Sequence, residues 1–175
     1  MKFKETKIKG LYIIEPELNI DKRGYFTRIF CRNKFKKNGI NFKIVQVNRS
    51  LTKRKGTIKG LHFQKKPRAE DKIICCIKGA IYDVAVDLRK KSPTYSQWVA
   101  VELSEDNKKM FLIPKGFAHG FQTLTDNCEV LYFMSEYYSP KYGSGIRWND
   151  SLFNIKWPTK SPILSEKDKN WPLMK

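Results

Sequence analysis

The sequence predicts an all-β domain, folded as a sandwich or a barrel, with short helices only at its periphery. Strand-like segments recur at intervals of roughly 8–12 residues with turn residues between them, which is the pattern of such folds. Helix-forming segments are few. The length of 175 residues and the hydrophobic fraction of 41% suit one packed core. We therefore expect a single domain over residues 1–175.

The strand pattern is clearest in the middle of the chain. Residues 72–77 form an apolar run, residues 78–79 form a glycine turn, and residues 80–88 alternate between apolar and polar side chains. Further strands are predicted, in order, at residues 98–103, 110–113, 120–124 and 129–134, with turns at residues 92–94 and 105–107. Two helical segments are predicted, one over residues 32–39 that ends at a glycine and one turn over residues 165–168.

The chain is strongly basic, with 35 Lys and Arg against 17 Asp and Glu and a formal net charge of +18. Such a surface attracts polyanions, acidic membranes or phosphorylated small molecules. The lysines are scattered, and the longest basic runs, at residues 53–55 and 89–91, are too short for a nucleic-acid-binding tail. We therefore expect a ligand that carries phosphate groups and no nucleic-acid partner.

Targeting and membrane signals are missing from the sequence. No apolar run approaches the ~18 residues of a membrane helix, and the lysine-rich first ten residues contain no apolar signal-peptide core. The four cysteines show no metal-binding spacing, and Cys75 and Cys76 lie within an apolar run. We expect buried free thiols and a soluble cytoplasmic protein with no membrane partner.

The two histidines each lie beside a glycine turn. His119 follows Pro114 and Gly116 in a Pro-x-Gly-x-x-His string, which resembles the second motif of the cupin superfamily, a jelly-roll barrel. The first cupin motif would offer only His62, because Gln64 occupies the place of the second ligand. Two histidines are too few for a transition-metal cage, so we expect a metal-free centre. Both histidines could instead be structural, each satisfied by a backbone group.

Ten short strings occur in order along the chain and together resemble the dTDP-4-dehydrorhamnose 3,5-epimerase family. They cover residues 21–26, 46–48, 59–64, 82–89, 92–98, 113–121, 131–132, 137–140, 146–150 and 155–158. The resemblance runs from about residue 10 to residue 172. It implies a cupin-type jelly roll, no cofactor, and a homodimer that exchanges N-terminal strands, so that the Arg23 segment serves the partner's site.

The resemblance also implies inversion of C3 and C5 of a nucleotide-linked 4-keto-6-deoxy sugar, in the synthesis of capsule or lipopolysaccharide sugars. Both carbons adjoin the C4 ketone, so loss of either proton leaves an enolate that needs a base, an acid and a cation. By motif match, His62 is the base, Tyr132 the acid and Lys72 the cation. Asp168 orients His62. Without the family, Lys72 and Asp168 would be interpreted as solvated charges and Tyr132 as a core residue.

The family further implies a set of substrate-binding residues: Arg23, Phe26, Arg28, Gln46, Asn48, Lys59, His119 and Tyr138. Two positions depart from the family pattern, with Lys59 in place of an arginine and Arg28 in place of a glutamate. A glutamate can accept a hydrogen bond from N3–H of thymine, whereas an arginine only donates and suits O6 and N7 of guanine. The sequence therefore leaves a GDP-linked sugar, including a heptose, and a dTDP-linked sugar both open.

Other activities on the same barrel also stay open at this point. One base and one acid can serve either carbon, so the enzyme could invert C3 alone or act as a 3,4-ketoisomerase. Two readings from other classes are a non-catalytic nucleic-acid-binding barrel and a metal-dependent cupin oxygenase. Oligonucleotide binding that weakens steeply with salt would indicate the nucleic-acid-binding barrel, and a stoichiometric metal would indicate the oxygenase.

Overall fold

A computed structural model describes residues 1–174 of the chain, and most of its ordered elements are strands. In chain order they are β1 (Lys2–Glu5), β2 (Tyr12–Glu15), β3 (Leu18–Asp21), β4 (Gly24–Thr27), α1 (Arg32–Lys37), β5 (Gln46–Thr52), β6 (Ile58–Gln64), β7 (Lys72–Lys78), β8 (Ala80–Asp87), β9 (Trp98–Ser104), β10 (Met110–Ile113), β11 (Phe117–Thr123), β12 (Cys128–Met134), β13 (Gly143–Gly145) and α2 (Glu166–Lys169).

Two antiparallel sheets form the body of the molecule. The six-stranded sheet has the order β1-β2-β10-β7-β12-β5, and the five-stranded sheet has the order β13-β6-β11-β8-β9. Apart from the pairs β1-β2 and β8-β9, neighbouring strands come from distant parts of the sequence, as in a jelly roll. Strands β3 and β4 form a separate two-stranded hairpin. The prediction of an all-β barrel with short helices is confirmed.

Side-chain alternation divides the apolar residues into an inner core and two outer layers. The inner core lies between the sheets and includes Ile74, Ala85 and Phe121. One outer layer contains Phe35 of α1. The other forms where residues 146–174, which we call the C-terminal cover, pack on the five-stranded sheet. Because successive strand residues face opposite sides, polar residues at inward positions face the space between the sheets.

The predicted strands from residue 72 onward match β7 to β12 to within a few residues. The two helices lie where they were predicted, although both are short. Strands β1 to β6 and β13 were not predicted. Of these, β1, β3 and β4 are only four residues long and almost wholly exposed, so they show too little apolar alternation to be recognised. The single domain over residues 1–175 stays a prediction.

The predicted burial of the thiols is confirmed. Cys75 and Cys76 are buried, and no cysteine within residues 1–174 forms a disulfide. Burial raises the pKa of Cys75 to about 11 and that of Cys76 to about 12, so neither is a reactive thiolate near neutral pH. Across the described part of the chain, no helix has the length and apolar character needed to cross a membrane.

Candidate active site

A cavity of about 400 Å³ lies among residues from both sheets and from α2. It brings together six of the predicted site residues that the barrel contributes, together with Asp168 of α2. The full lining is Asn48, Lys59, His62, Lys72, His119, Phe121, Tyr132, Met134, Ser165, Lys167 and Asp168. The lining combines an imidazole, a phenol and several cationic side chains. Groups of these kinds can transfer protons and bind anions.

His62 and Asp168 form a hydrogen-bonded dyad. The imidazole Nε2 lies 2.6 Å from Oδ1 of Asp168. The Asp168 side chain is only 6% exposed, whereas that of His62 is 43% exposed. Ser165 caps α2 by accepting a hydrogen bond from the backbone N–H of Asp168. Because Nε2–H donates to the carboxylate, Nδ1 of His62 keeps its lone pair and can accept a proton.

Asp168 is held in its ionised form. Burial alone would raise the pKa of this carboxyl group, but hydrogen bonds from His62, the Gly60 backbone N–H and Trp171 outweigh burial and keep the pKa below its ordinary value. An ionised carboxylate behind the imidazole stabilises the imidazolium that forms when His62 takes a proton. The dyad therefore has the arrangement of a general base and its orienting group.

Two glycines allow the strands that carry the histidines to approach closely. Gly60 has a φ of +130°, and a Cβ atom there would lie 2.5 Å from the Cα of Gly120. Such a contact with backbone cannot be relieved by moving a side chain. His62 and His119 lie opposite each other in the β6–β11 pair, beside this crossing. The glycines therefore set the spacing between the two imidazoles.

His119 belongs to a second dyad, deeper in the barrel. Its Nε2 lies 2.6 Å from Oδ1 of Asp83, and both side chains are buried. Burial raises the pKa of Asp83, with His119 and Lys72 acting in the opposite direction. The other carboxylate oxygen of Asp83 has no hydrogen-bond partner within the described residues. Sequence reasoning missed Asp83, although a polar residue at an inward position of an apolar strand was the available signal.

Lys72 projects into the cavity from the start of β7. Its Nζ lies 3.1 Å from Oε1 of Glu70 and 3.4 Å from the backbone oxygen of His62. The Lys72 and Glu70 side chains are 10% and 3% exposed. The paired carboxylate offsets the cost of burying the ammonium. Glu70 was also missed, because no local pattern separates it from its exposed charged neighbours.

Tyr132 lies on β12, between the inner core and the cavity. Its hydroxyl is 3.1 Å from the Ser50 hydroxyl. Burial raises the pKa of Tyr132 to about 12, so the phenol stays protonated at neutral pH. A protonated phenol that lines a cavity can donate a proton. Ser50, its hydrogen-bond partner, was not predicted from the sequence.

The remaining predicted binding residues fall into two groups, and the first lies in or beside the cavity. Lys59 and Asn48 line it, and burial lowers the pKa of Lys59 while nearby Asp168 opposes that shift. Gln46 donates to Asn48 Oδ1 at 3.1 Å and accepts from the Tyr138 backbone N–H at 3.2 Å. Gln46 and Tyr138 thus form a rim beside the cavity. Lys167 also lines the cavity and was not predicted.

The second group lies on the hairpin formed by β3 and β4. Arg23 pairs with Asp21 of the same hairpin, Phe26 is 62% exposed, and Arg28 is exposed just beyond β4. None of these three residues lines the cavity of its own chain. Their predicted role in binding therefore stays a prediction that requires a second chain.

No group of three or more His, Cys, Asp or Glu side chains within residues 1–174 is arranged to hold a metal ion. The expectation that the enzyme needs no metal and no cofactor stays a prediction. The residues that are present supply a base, an acid and a buried cation. These groups suffice to remove a proton next to a ketone, to stabilise the enolate and to return a proton.

Comparison with known proteins identifies the family. The profile of the dTDP-4-dehydrorhamnose 3,5-epimerase family matches residues 5–175. A curated relative of that description from Methanothermobacter thermautotrophicus is 47% identical over 173 residues, covering 97% of this chain and 92% of that protein.

Solved structures agree with this assignment. The Bacillus anthracis dTDP-4-dehydrorhamnose 3,5-epimerase with TDP and PPi bound is 48% identical, with a TM-score of 0.97 over 99% of each chain. The Legionella pneumophila dTDP-6-deoxy-D-glucose-3,5-epimerase in complex with dTDP-4-keto-L-rhamnose is 39% identical, with a TM-score of 0.93 over 98% of this chain and 92% of that chain. The cupin-type jelly roll and the family predicted from the sequence are confirmed. The chain is an isomerase that belongs to the dTDP-4-dehydrorhamnose 3,5-epimerase family.

Proposed function

We propose that the protein inverts C3 and C5 of a thymidine-diphosphate-linked 4-keto-6-deoxy sugar. The observation that carries the proposal is the arrangement of a His–Asp dyad, a protonated tyrosine and a buried lysine around one cavity. The family adds support, since relatives that are 47–48% identical carry the 3,5-epimerase name and one of them binds TDP.

In the first step, Nδ1 of His62 removes the proton from C3 or C5. Electrons of the broken C–H bond move toward the C4 carbonyl, which becomes an enolate oxygen. The Lys72 ammonium lies on the cavity wall and stabilises that negative charge. Asp168 stabilises the imidazolium at the same time. No electron acceptor is needed, because the substrate and the product are isomers.

In the second step, a proton returns to the opposite face of the same carbon. Tyr132 supplies it, because burial keeps its phenol protonated and the contact with the Ser50 hydroxyl holds the phenol oxygen in place. The phenolate is then reprotonated from solvent, and His62 releases its proton. The cycle repeats at the second carbon with the same pair of groups.

The positive charge of the cavity suits the diphosphate of the substrate. Lys59 and Lys167 line it together with His119, and an ammonium group is a good partner for phosphate oxygens. Asn48 and Gln46 present amide groups beside them, and the exposed ring of Tyr138 is free to stack on a base. Removal of one of these residues should raise KM more than it lowers kcat.

Solvent deuterium incorporation tests the proposal. The protein is incubated in D₂O with the thymidine-diphosphate-linked 4-keto-6-deoxy sugar, and NMR follows deuterium at C3 and C5. We expect label at both carbons together with the inverted product. Label at C3 alone would indicate a monoepimerase, and migration of the ketone to C3 would indicate a ketoisomerase. If neither C3 nor C5 exchanged its proton with solvent, the result would contradict an epimerase. Elemental analysis of the active protein separately tests the expectation that no metal is needed.

We also propose that the active form is a homodimer in which the β3–β4 hairpin reaches the partner's cavity. The hairpin buries little of its own apolar surface, with Ile20 76% and Phe26 62% exposed. Exposed apolar groups of this kind are typical of an interface. Sedimentation should show a dimer, and Ile20→Glu should yield monomers that bind nucleotide poorly. Leu152→Glu, at an exposed leucine of the C-terminal cover, is the matched control. A monomeric and fully active wild-type protein would contradict this proposal.

A guanine nucleotide is a second candidate for the substrate, favoured by Arg28. This residue is exposed on the hairpin and offers only donors, which suit guanine O6 and N7. A bidentate contact discriminates by about 1–3 kcal/mol, or roughly five- to a hundredfold in affinity. Calorimetric titration of GDP and dTDP decides between the two nucleotides. If GDP binds more tightly than dTDP, and Arg28→Glu reduces that difference in affinity, a guanine nucleotide is supported. Equal affinities of the wild type for the two nucleotides would exclude a contact between Arg28 and guanine.

The cellular role is supported by membership of the epimerase family. We propose that the enzyme works in the cytoplasm, makes a sugar nucleotide for a surface polysaccharide such as capsule or lipopolysaccharide, and binds neither nucleic acid nor membranes. Its buried free thiols suit a reducing compartment. Oligonucleotide binding that falls steeply with salt, in a protein that exchanges no sugar proton, would contradict this role.

A further inference from the structure

Trp171 of the C-terminal cover contacts both members of the dyad. Its indole N–H donates to Oδ1 of Asp168 at 3.2 Å, and this is the oxygen that lies 2.6 Å from Nε2 of His62. The indole also meets the His62 ring edge to face, with the ring centroids 6.0 Å apart and an interplanar angle of 67°. One carboxylate oxygen is therefore shared between the imidazole and the indole.

The indole is held in this place by the backbone around it. A Cβ atom at Gly145 would lie 2.3–2.6 Å from three atoms of the Trp171 ring, so the ring rests directly on that glycine. Gly145 is the register partner of His62 in the β13–β6 pair. Arg147 Nε donates to the Trp171 backbone oxygen at 2.8 Å. The position of the ring relative to His62 is therefore fixed from two sides.

We infer that Trp171 is a positioning residue that fixes the Asp168 carboxylate and limits how strongly it binds the proton on His62. Trp171 does not line the cavity, so it acts through Asp168 and not on the substrate. The inference rests on the proposed function, because it concerns the base of that reaction. An N–H group that donates to Oδ1 withdraws charge from the oxygen that must stabilise the imidazolium.

Other charged and titratable groups also surround the dyad. A substitution that tests the Trp171 hydrogen bond must leave these groups in place. From the strands and α2 they are Lys59, Lys72, His119 and Lys167. Lys167 Nζ lies 5.2 Å from the Trp171 ring centroid, in a cation–π contact. Trp171→Phe keeps an aromatic ring over Gly145 and beneath Lys167 and removes the N–H group. It therefore isolates the hydrogen bond to Asp168.

Steady-state kinetics give the first test. In Trp171→Phe we expect kcat to fall about tenfold, because a hydrogen bond to a charged group is lost and the carboxylate is less well oriented. KM should change less than about twofold, since the substrate contacts remain. The acidic limb of kcat/KM should move to higher pH by roughly half a unit, because Oδ1 then binds the imidazolium more tightly.

Trp157→Phe is the matched control for these measurements. Its indole N–H donates to the Trp148 backbone oxygen at 2.8 Å, within the same C-terminal cover and away from the dyad. This variant should lose similar stability but keep the wild-type pH profile. Equal pH profiles in all three proteins would overturn the inference. In an Asp168→Asn background, Trp171→Phe should cost little further activity, and a full additional tenfold loss would also overturn it.

NMR of the wild-type protein without substrate tests the same contact independently of catalysis. We expect the Trp171 indole ¹H–¹⁵N signal to move with pH as His62 titrates, and this response to vanish in Asp168→Asn. The Trp157 signal should stay in place. A stationary Trp171 signal would overturn the inference even if Trp171→Phe did not fold. A responsive signal in a protein that exchanges no sugar proton would contradict the proposed function and leave the contact intact.

Discussion

His62 is the residue whose removal should stop the proposed reaction. We expect His62→Asn to lower deuterium exchange at C3 and C5 by at least about 10²–10⁴-fold, because no other cavity group is paired with Asp168 as a base. Exchange is measured by NMR in D₂O. The fold should persist, since the His62 side chain is 43% exposed and Asp168 keeps its hydrogen bonds from Gly60 and Trp171. Retention of more than roughly a tenth of wild-type exchange would show that another group is the base.

Tyr132→Phe should separate the two halves of the reaction. The change removes one hydroxyl and little volume, so the free energy of unfolding should change by less than about 1.5 kcal/mol. Proton abstraction should continue while proton donation to the opposite face fails. We therefore expect deuterium wash-out from labelled substrate without the epimer. An unchanged yield of epimer would place Tyr132 among the core residues.

Ser50→Ala provides the control for this prediction. It leaves the Tyr132 phenol in place and removes its hydrogen-bond partner at 3.1 Å. Epimer should still form, at a rate between those of the wild type and Tyr132→Phe. Identical behaviour of the two variants would mean that the phenol acts only through its contact with Ser50.

The proposed catalytic residues show how far sequence reasoning reaches at this scale. His62 and Asp168 were found through family motifs, yet only the structure shows that Asp168, between two lysines, is buried. Glu70 and Trp171 were missed although they lie only two and three residues from Lys72 and Asp168, the residues that they contact. Asp83 was missed because its partner, His119, lies 36 residues away. Local spacing does not show which side chains the fold buries beside a site.

At the scale of elements, Asp87 connects strand β8 to the turn that follows it. Its buried carboxylate accepts hydrogen bonds from Arg89, Ser92 and Thr94. Burial acts to raise the pKa of Asp87, but these hydrogen bonds lower it to about 2. A lowered pKa in the folded state means that the carboxylate stabilises the fold above about pH 4. That stabilisation is lost as the pH falls toward about 2.

Asp87→Asn should therefore lower the free energy of unfolding at pH 7 by on the order of 2 kcal/mol. The difference from the wild type should shrink as the pH falls below about 4. Denaturant titrations at neutral and acidic pH measure it. Asp106→Asn, at an exposed turn, is the matched control and should change little. If the difference in the free energy of unfolding stayed constant with pH, the charge of the Asp87 carboxylate would not contribute to stability.

The strands predicted from the sequence are those that are covered by apolar layers on both faces. In β7 to β12 one face meets the inner core and the other an outer layer, so apolar runs and alternation mark them. The β3–β4 hairpin lacks this signal, because its four-residue strands are almost wholly exposed in one chain. In the proposed dimer, its exposed apolar side chains would pack on the partner, and sequence periodicity cannot reveal such contacts.

At the scale of the whole molecule, the net charge of +18 should govern substrate capture. A positive field attracts a diphosphate, and salt screens that field over a Debye length of about 10 Å at 0.1 M. We expect KM to rise several-fold from about 50 mM to about 500 mM NaCl while kcat stays constant. Thermal melting over the same range shows whether the fold is affected. A KM that is independent of salt would mean that the surface charge has no part in binding.

The two members of the dyad lie on separate parts of the chain, which has a consequence for folding during translation. His62 lies in the barrel, whereas Asp168 follows all thirteen strands in the sequence. During translation, every strand therefore leaves the ribosome before the carboxylate does. The barrel can therefore fold around His62 before α2 adds Ser165, Lys167 and Asp168 to the cavity wall. Under the proposed mechanism, the nascent chain then holds an imidazole without its acidic partner, and catalysis waits until the C-terminal cover docks.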